Sequence, residues 1–469
     1  VPFLFLLLFL AQTSAQTDSL ADRAQRAKQA LLGGSSAEAV KLYQELVKDL
    51  PNEPGMRLNL ALALESAGEY SQEIVQLRTI VGKRPDMAPA WLLLGLAEQK
   101  LGRPAEAIAP LRKALALDPE NETARLELAD ACLATSKFAE AVEEFKIATR
   151  KTPESAKAWQ GLGLSYAGLA RSTFAKLEAA APHSAAWALL AARSQLDQQL
   201  YSRAFSLFRE ALEKQPHLPG IHAGLAEVYE KTGHHDWAAT ERQPELASGS
   251  TRCAEAPKAA DLFCLTLTYQ AKAQEAFDHL TRLPESAEIH ELLAEVNQKQ
   301  GRRAEAISEW RLALGLDPRN QRLGGKLAES LWLNRSYDEA LQLLEPLVSA
   351  NANAAQWQYL TGDVLFRQQQ PEAALAHLEA AVRLRPEHLE ARAVLGRLYL
   401  QLGQARKAIP HLEKARAVDD EAISFQLGQA YKAVGETRLA EQAFARQREL
   451  MQKQTGERLP EPEITGPKQ

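Results

Sequence analysis

The stretch WQGLGLSY spans Trp159–Tyr166. Trp159, Leu162, Gly163 and Tyr166 recur at spacings of three, one and three, which puts all four on one face of a helix. The stretch WLLLGLAE, Trp91–Glu98, repeats the first three of them as Trp91, Leu94 and Gly95. Each tryptophan stands six residues after a proline, Pro153 in one case and Pro85 in the other.

Those prolines belong to a series. Pro51, Pro85, Pro119 and Pro153 are spaced 34 residues apart, as are Pro182 and Pro216, and Pro284 and Pro318. Ala352 and Pro386 continue the count, and Pro216 to Pro284 is twice the period. Only Pro153 to Pro182 falls short, at 29. The phrases RKALALDP (Arg112–Pro119) and RLALGLDP (Arg311–Pro318) are therefore the same segment of two periods.

Counting from the proline, positions 6, 9, 10 and 13 form one helical stripe. Positions 22, 26 and 29 form another, as in Ala107, Leu111 and Ala114, or Ala306, Trp310 and Ala313. Between them, position 17 is often glycine (Gly68, Gly102, Gly233, Gly301, Gly403), which ends the first helix. Small residues at positions 10 and 22 let the two helices approach closely. Each period thus predicts two helices joined by a turn.

A 34-residue period carrying W-x2-L-G-x2-Y, then A-x3-F, then P resembles the tetratricopeptide repeat. The resemblance runs from about Asp18 to Met451 and amounts to about thirteen copies. It implies an all-α, right-handed superhelical solenoid of helix-turn-helix repeats over 16–452, degenerate around 167–182 and 243–284. Such arrays present a long concave surface. The stretch 453–469, rich in proline and charge, is expected to be disordered.

If positions 6, 9, 10 and 13 pack inward, positions 4, 7 and 11 lie opposite, and the resemblance implies that they line a partner-binding groove. Early in the chain this stripe is apolar: Leu58 and Leu62, Leu92 and Leu96, then Leu126, turning polar at Asp130. Later it is charged: Glu288, Glu291 and Glu295, then Arg322, Tyr359 and Asp363, then Glu390 and Arg397. The leucines read either as a binding strip or as filling between neighbouring first helices. The acidic run reads as part of the groove or as a solvated helix face. Lys28, Lys157 and Arg322 are isolated on the stripe, so no carboxylate clamp of the kind some family members carry is expected.

The apolar run Phe3–Leu10, followed by Thr13-Ser14-Ala15, reads as a signal peptide over 1–15, a buried first helix being the alternative. With neither an initiating Met nor basic residues before it, that leader is expected to be incomplete. Export to the periplasm or the extracellular space follows from this reading, with no membrane span once the leader is cleaved. In such a compartment Cys253 and Cys264 are expected to form a disulfide, two free thiols being the alternative. Cys132 reads as a small buried hydrophobe.

No residue set points to chemistry. GLGLSYAG (Gly161–Gly168) lies within a helix and lacks the lysine of a phosphate loop. His234 and His235, with His217 and His222 nearby, lack a paired ligand motif. The net charge of −5 argues against nucleic acid as a partner. NET (Asn121–Thr123) and NRS (Asn334–Ser336) match the glycosylation sequon at expected exposed turns, which matters only in a eukaryote, and chance occurrence is the preferred reading. The expectation is a non-catalytic protein-binding scaffold or adaptor without cofactor or metal. The alternatives are a carrier of apolar cargo, lipid or unfolded envelope protein, and a regulatory subunit of a separate enzyme.

Overall fold

The computed structural model describes residues 19–247, 258–418, 420–455 and 464–467. The leader read over 1–15 and Cys253 lie outside them, and with Cys253 the expected pairing to Cys264. Among the described residues there are twenty-four α-helices and no strand. The chain divides into two compact units with the boundary between Leu169 and Ala170. Each is a stack of helical pairs.

The pairs follow the period. In the copy after Pro119 the first helix is Glu122–Ala134 and the second Phe138–Lys151. Asn121, at position 2, caps the first helix by accepting from the Ala124 amide at 2.9 Å. Asp420 and Ser286 cap their helices in the same way. The inter-helix turn depends on position 17, where the backbone is left-handed: φ is +73° at Gly68 and +71° at Gly403. Ser136, Gln199, Arg335 and Gln369 adopt the same conformation at that position without being glycine.

Packing explains the small residues. A Cβ built on Gly95 would collide with the Leu111 side chain, and one on Gly396 would come within 2.6 Å of Leu412. Position 10 is therefore small because position 26 of the same copy fills the space. Phe145, Phe208, Trp310 and Leu412, all at position 26, are fully buried. Cys132 is free, buried and pushed up in pKa chiefly by that burial.

Position 6 does more than pack. Its side chain donates to the carbonyl of the residue six before it: Trp91 Nε1 to Pro85 at 3.0 Å, Trp159 Nε1 to Pro153 at 2.7 Å, Arg125 Nη2 to Pro119 at 2.7 Å, Gln358 Nε2 to Ala352 at 2.8 Å. That carbonyl follows the end of the preceding helix and has no helical partner. Where position 6 is polar it also reaches position 25 of its own copy. Arg125 pairs with Glu144 at 2.7 Å, His222 with Glu241 at 2.6 Å and His290 with Glu309 at 2.7 Å. In these copies the motif position carries an N–H donor on a flat side chain, tryptophan being one solution, whereas Ala188 and Gly324 stand there in two others.

Two copies depart from this plan. After Pro153 the helix Ala156–Ala180 runs on for 25 residues with no turn. In the second unit, Ile221–Lys231 and His235–Ala247 form a pair, and the next described helix is Lys258–Leu280, 23 residues long. That helix touches Ala185–Asp197 and Ala287–Lys299. Across the irregular stretch Asp197 feels Arg302; burial pushes the Asp197 carboxyl up, and Arg302 opposes the shift.

Candidate functional site

In the first unit the stripe at positions 4, 7 and 11 lies on the first helices of successive pairs. Leu58, Leu62, Leu92, Leu96 and Leu126 are all half-buried. Leu58 packs against the cluster that holds Leu77, Ile80 and Leu94, so it fills space between helices as well as facing outward. Asp130 is half-buried and bonded across to the next copy, where Lys157 Nζ donates to it at 2.8 Å and to Glu127 at 3.0 Å. Burial works to lower the Lys157 pKa, but the two carboxylates outweigh it and the net shift is upward.

In the second unit Glu288 is exposed, and Arg322 pairs through both terminal nitrogens with Glu291 of the preceding copy. Glu295 adds to the field that holds the Arg322 proton. The acidic run is therefore partly neutralised between repeats.

Tyr359 and Asp363 are 6% and 1% exposed, so the structure places them inside the seam between neighbouring first helices and not on an open surface. Asp363 Oδ2 accepts from Trp332 Nε1 and from Arg367 Nε, each at 2.6 Å. The Tyr359 ring lies 6.0 Å from Trp332 and 4.7 Å from His388. Burial, then Asp363 and Glu390, push its phenol well above the ordinary range, against Arg367 and Arg397. Arg397 sits 5.5 Å over the Phe366 ring. The sequence reading missed Trp332 and Arg367. Their signal was an indole and a cation at positions 14 and 15 of consecutive copies, beside a carboxylate at position 11. His234, considered as a metal ligand, stacks on Trp237 with ring centroids 4.3 Å apart.

Family profiles agree with this geometry. A tetratricopeptide-repeat profile matches residues 24–88, 75–122, 92–156 and 126–169, and another matches 299–364. The chain carries tetratricopeptide repeats. Residues 333–415 of the repeat array also match the profile of anaphase-promoting complex, cyclosome, subunit 3. No curated protein matches the chain. Among solved structures, a MamA fragment from Desulfovibrio magneticus RS-1 is 21% identical over 36% of this chain and 98% of its own, with a TM-score of 0.33. The APC/C hetero-tetramer Cut9-Hcn1 is 14% identical over 91% of this chain and 93% of its own, with a TM-score of 0.33. YrrB, described as a TPR protein with an unusual peptide-binding site, is 22% identical over 37% of this chain and 93% of its own, at 0.31. No described helix of the repeat array is long and apolar enough to cross a membrane.

Proposed function

We propose that the protein is an exported, non-catalytic scaffold or adaptor that binds a protein partner along the first-helix stripe of its first unit. The observation that supports this is the leucine row: Leu58, Leu62, Leu92, Leu96 and Leu126 are half-buried at equivalent positions of three consecutive repeats. Apolar surface left on one face at a regular spacing suits a partner segment that runs across the repeats. Export rests on the apolar run Phe3–Leu10 and the small residues after it. The row is aliphatic, so a carrier of apolar cargo is the second reading, and titration with a fluorescent lipid separates it from a protein-only surface.

The test is the double substitution Leu92→Glu with Leu96→Glu. A partner captured by the wild-type chain is identified by mass spectrometry, purified and measured against both proteins. Losing the area those leucines still expose is worth about 2–4 kcal/mol of binding. The melting temperature should move by only a few degrees. A double mutant that binds normally, or one that unfolds before binding is lost, rules the stripe out.

A further inference from the structure

Residues Ile464–Pro467, nine residues past the last helix but more than two hundred past the pair they meet, lie against Ile221–Lys231 and His235–Ala247 within the second unit. Tyr229 Oη donates to the Thr465 carbonyl at 2.7 Å. Ile464 packs on the core cluster that contains Phe205, Leu225, Tyr229 and Phe263. Gly466 lies so close to the Trp237 indole that a Cβ there would stand 3.2 Å from it. The indole has little room to yield, being stacked on His234 and in edge contact with Tyr229 at 5.5 Å. Ile464, Gly466 and Pro467 are half-buried and Thr465 is exposed.

Comparison with other repeats explains why this phenol is available. Tyr229 stands at position 13 of its copy. Position 13 meets position 27 of the preceding copy: Tyr399 Oη donates to Glu379 at 2.5 Å, and Arg78 pairs with Glu98 at 2.7 Å. The residue matching Glu379 in front of Tyr229 is Arg209. A guanidinium has no lone pair to accept with, so the phenol proton must go elsewhere. It goes to the peptide carbonyl of Thr465.

We propose that Tyr229, His234 and Trp237 form a binding site for a short non-helical peptide of the pattern apolar–x–Gly–Pro, held in cis by the chain's own residues 464–467. The recognition elements are one backbone carbonyl on the phenol, an apolar side chain on the core, and a glycine over the indole, where any larger residue has to push the indole aside. A partner segment with this pattern takes the site only by displacing the cis segment. The site lies at the irregular copy in the second unit, so it stands or falls separately from the leucine stripe.

The probe is a fluorescein-labelled peptide of residues 462–469, followed by anisotropy against the full-length chain. Gly466→Val evicts the cis segment by filling the space the indole occupies, and it lies outside every repeat. The labelled peptide should bind the Gly466→Val chain about tenfold more tightly than wild type. Adding Tyr229→Phe, which keeps the buried ring, should weaken that binding roughly three- to tenfold. Circular dichroism verifies that each variant is folded. Equal affinity for wild type and Gly466→Val, no binding to either, or indifference to Tyr229→Phe would overturn the proposal.

Discussion

Tyr399 and Tyr229 occupy the same position of two repeats and do different things. Both are buried, and in both burial pushes the phenol up to about 12. Tyr399 donates a hydrogen bond to Glu379 on the neighbouring second helix, closing the seam between two regular copies. Tyr229, in the irregular copy, has Arg209 at the matching place and bonds a peptide from the far end of the chain instead. Tyr399 thus faces a carboxylate that can accept its hydrogen bond, whereas Tyr229 faces a guanidinium that cannot, and only the second reaches a peptide.

The largest expected effect comes from a repeat where a buried polar group has no such outlet. Glu73 stands at position 22, where other copies carry alanine, and is 1% exposed. Burial, helped by Glu65, raises its pKa from 4.5 to about 8. Below pH 4.5 the folded and unfolded chains both hold the proton. Between pH 4.5 and 8 the unfolded chain releases it first, so stability falls as pH rises, and the penalty is complete above pH 8. Glu73→Ala should therefore stabilise the first unit by roughly 2–4 kcal/mol at about pH 9 and by far less at about pH 4.5. Urea unfolding at the two pH values measures this, and an equal gain at both would show that Glu73 is not carrying a buried proton.

A smaller effect tests the tyrosines directly. Tyr399→Phe removes a bond within the array and should cost about 1 kcal/mol. Tyr229→Phe removes a bond to a chain end and should leave the unfolding midpoint nearly unchanged. Its readout is faster hydrogen exchange at the Thr465 and Gly466 amides. Equal losses of stability in the two variants would erase the contrast.

The smallest effect sharpens the comparison by locating it. Gly233 and Gly403 make the same left-handed turn, one in the irregular copy and one in a regular copy, and neither has a neighbour within 4 Å of a built Cβ. Gly233→Ala and Gly403→Ala should each cost about 1–2 kcal/mol and by the same amount, so that the expected difference between them is near zero. Unequal costs, read from urea midpoints, would put the irregularity in the turn and not after it.

The helical pairs were legible because period and position survive changes of residue. Position 17 was read where it is glycine, whereas Ser136, Gln199, Arg335 and Gln369 make the same turn and carry no such mark. Position 6 was read as apolar packing. That Arg125, Gln358 and Trp91 are equivalent emerges only once the carbonyl they bond is in place. Of the stripe, the half-burial of the leucines lay between the two readings. Tyr359 and Asp363 vanish into a seam because Trp332 and Arg367, from positions off the stripe, reach them. The seat of Ile464–Pro467 was not legible, since composition describes a segment in water and says nothing of a vacant phenol more than two hundred residues earlier.

Thr455 ends the last helix and Ile464 begins the seated segment, a separation the chain can span over at most about 30 Å. A connection that short holds the segment near its site at an effective concentration on the order of millimolar. A contact whose free peptide binds with a Kd of about 0.1 mM is then closed roughly nine-tenths of the time. At that affinity a competing peptide meets a threshold about tenfold above its intrinsic Kd.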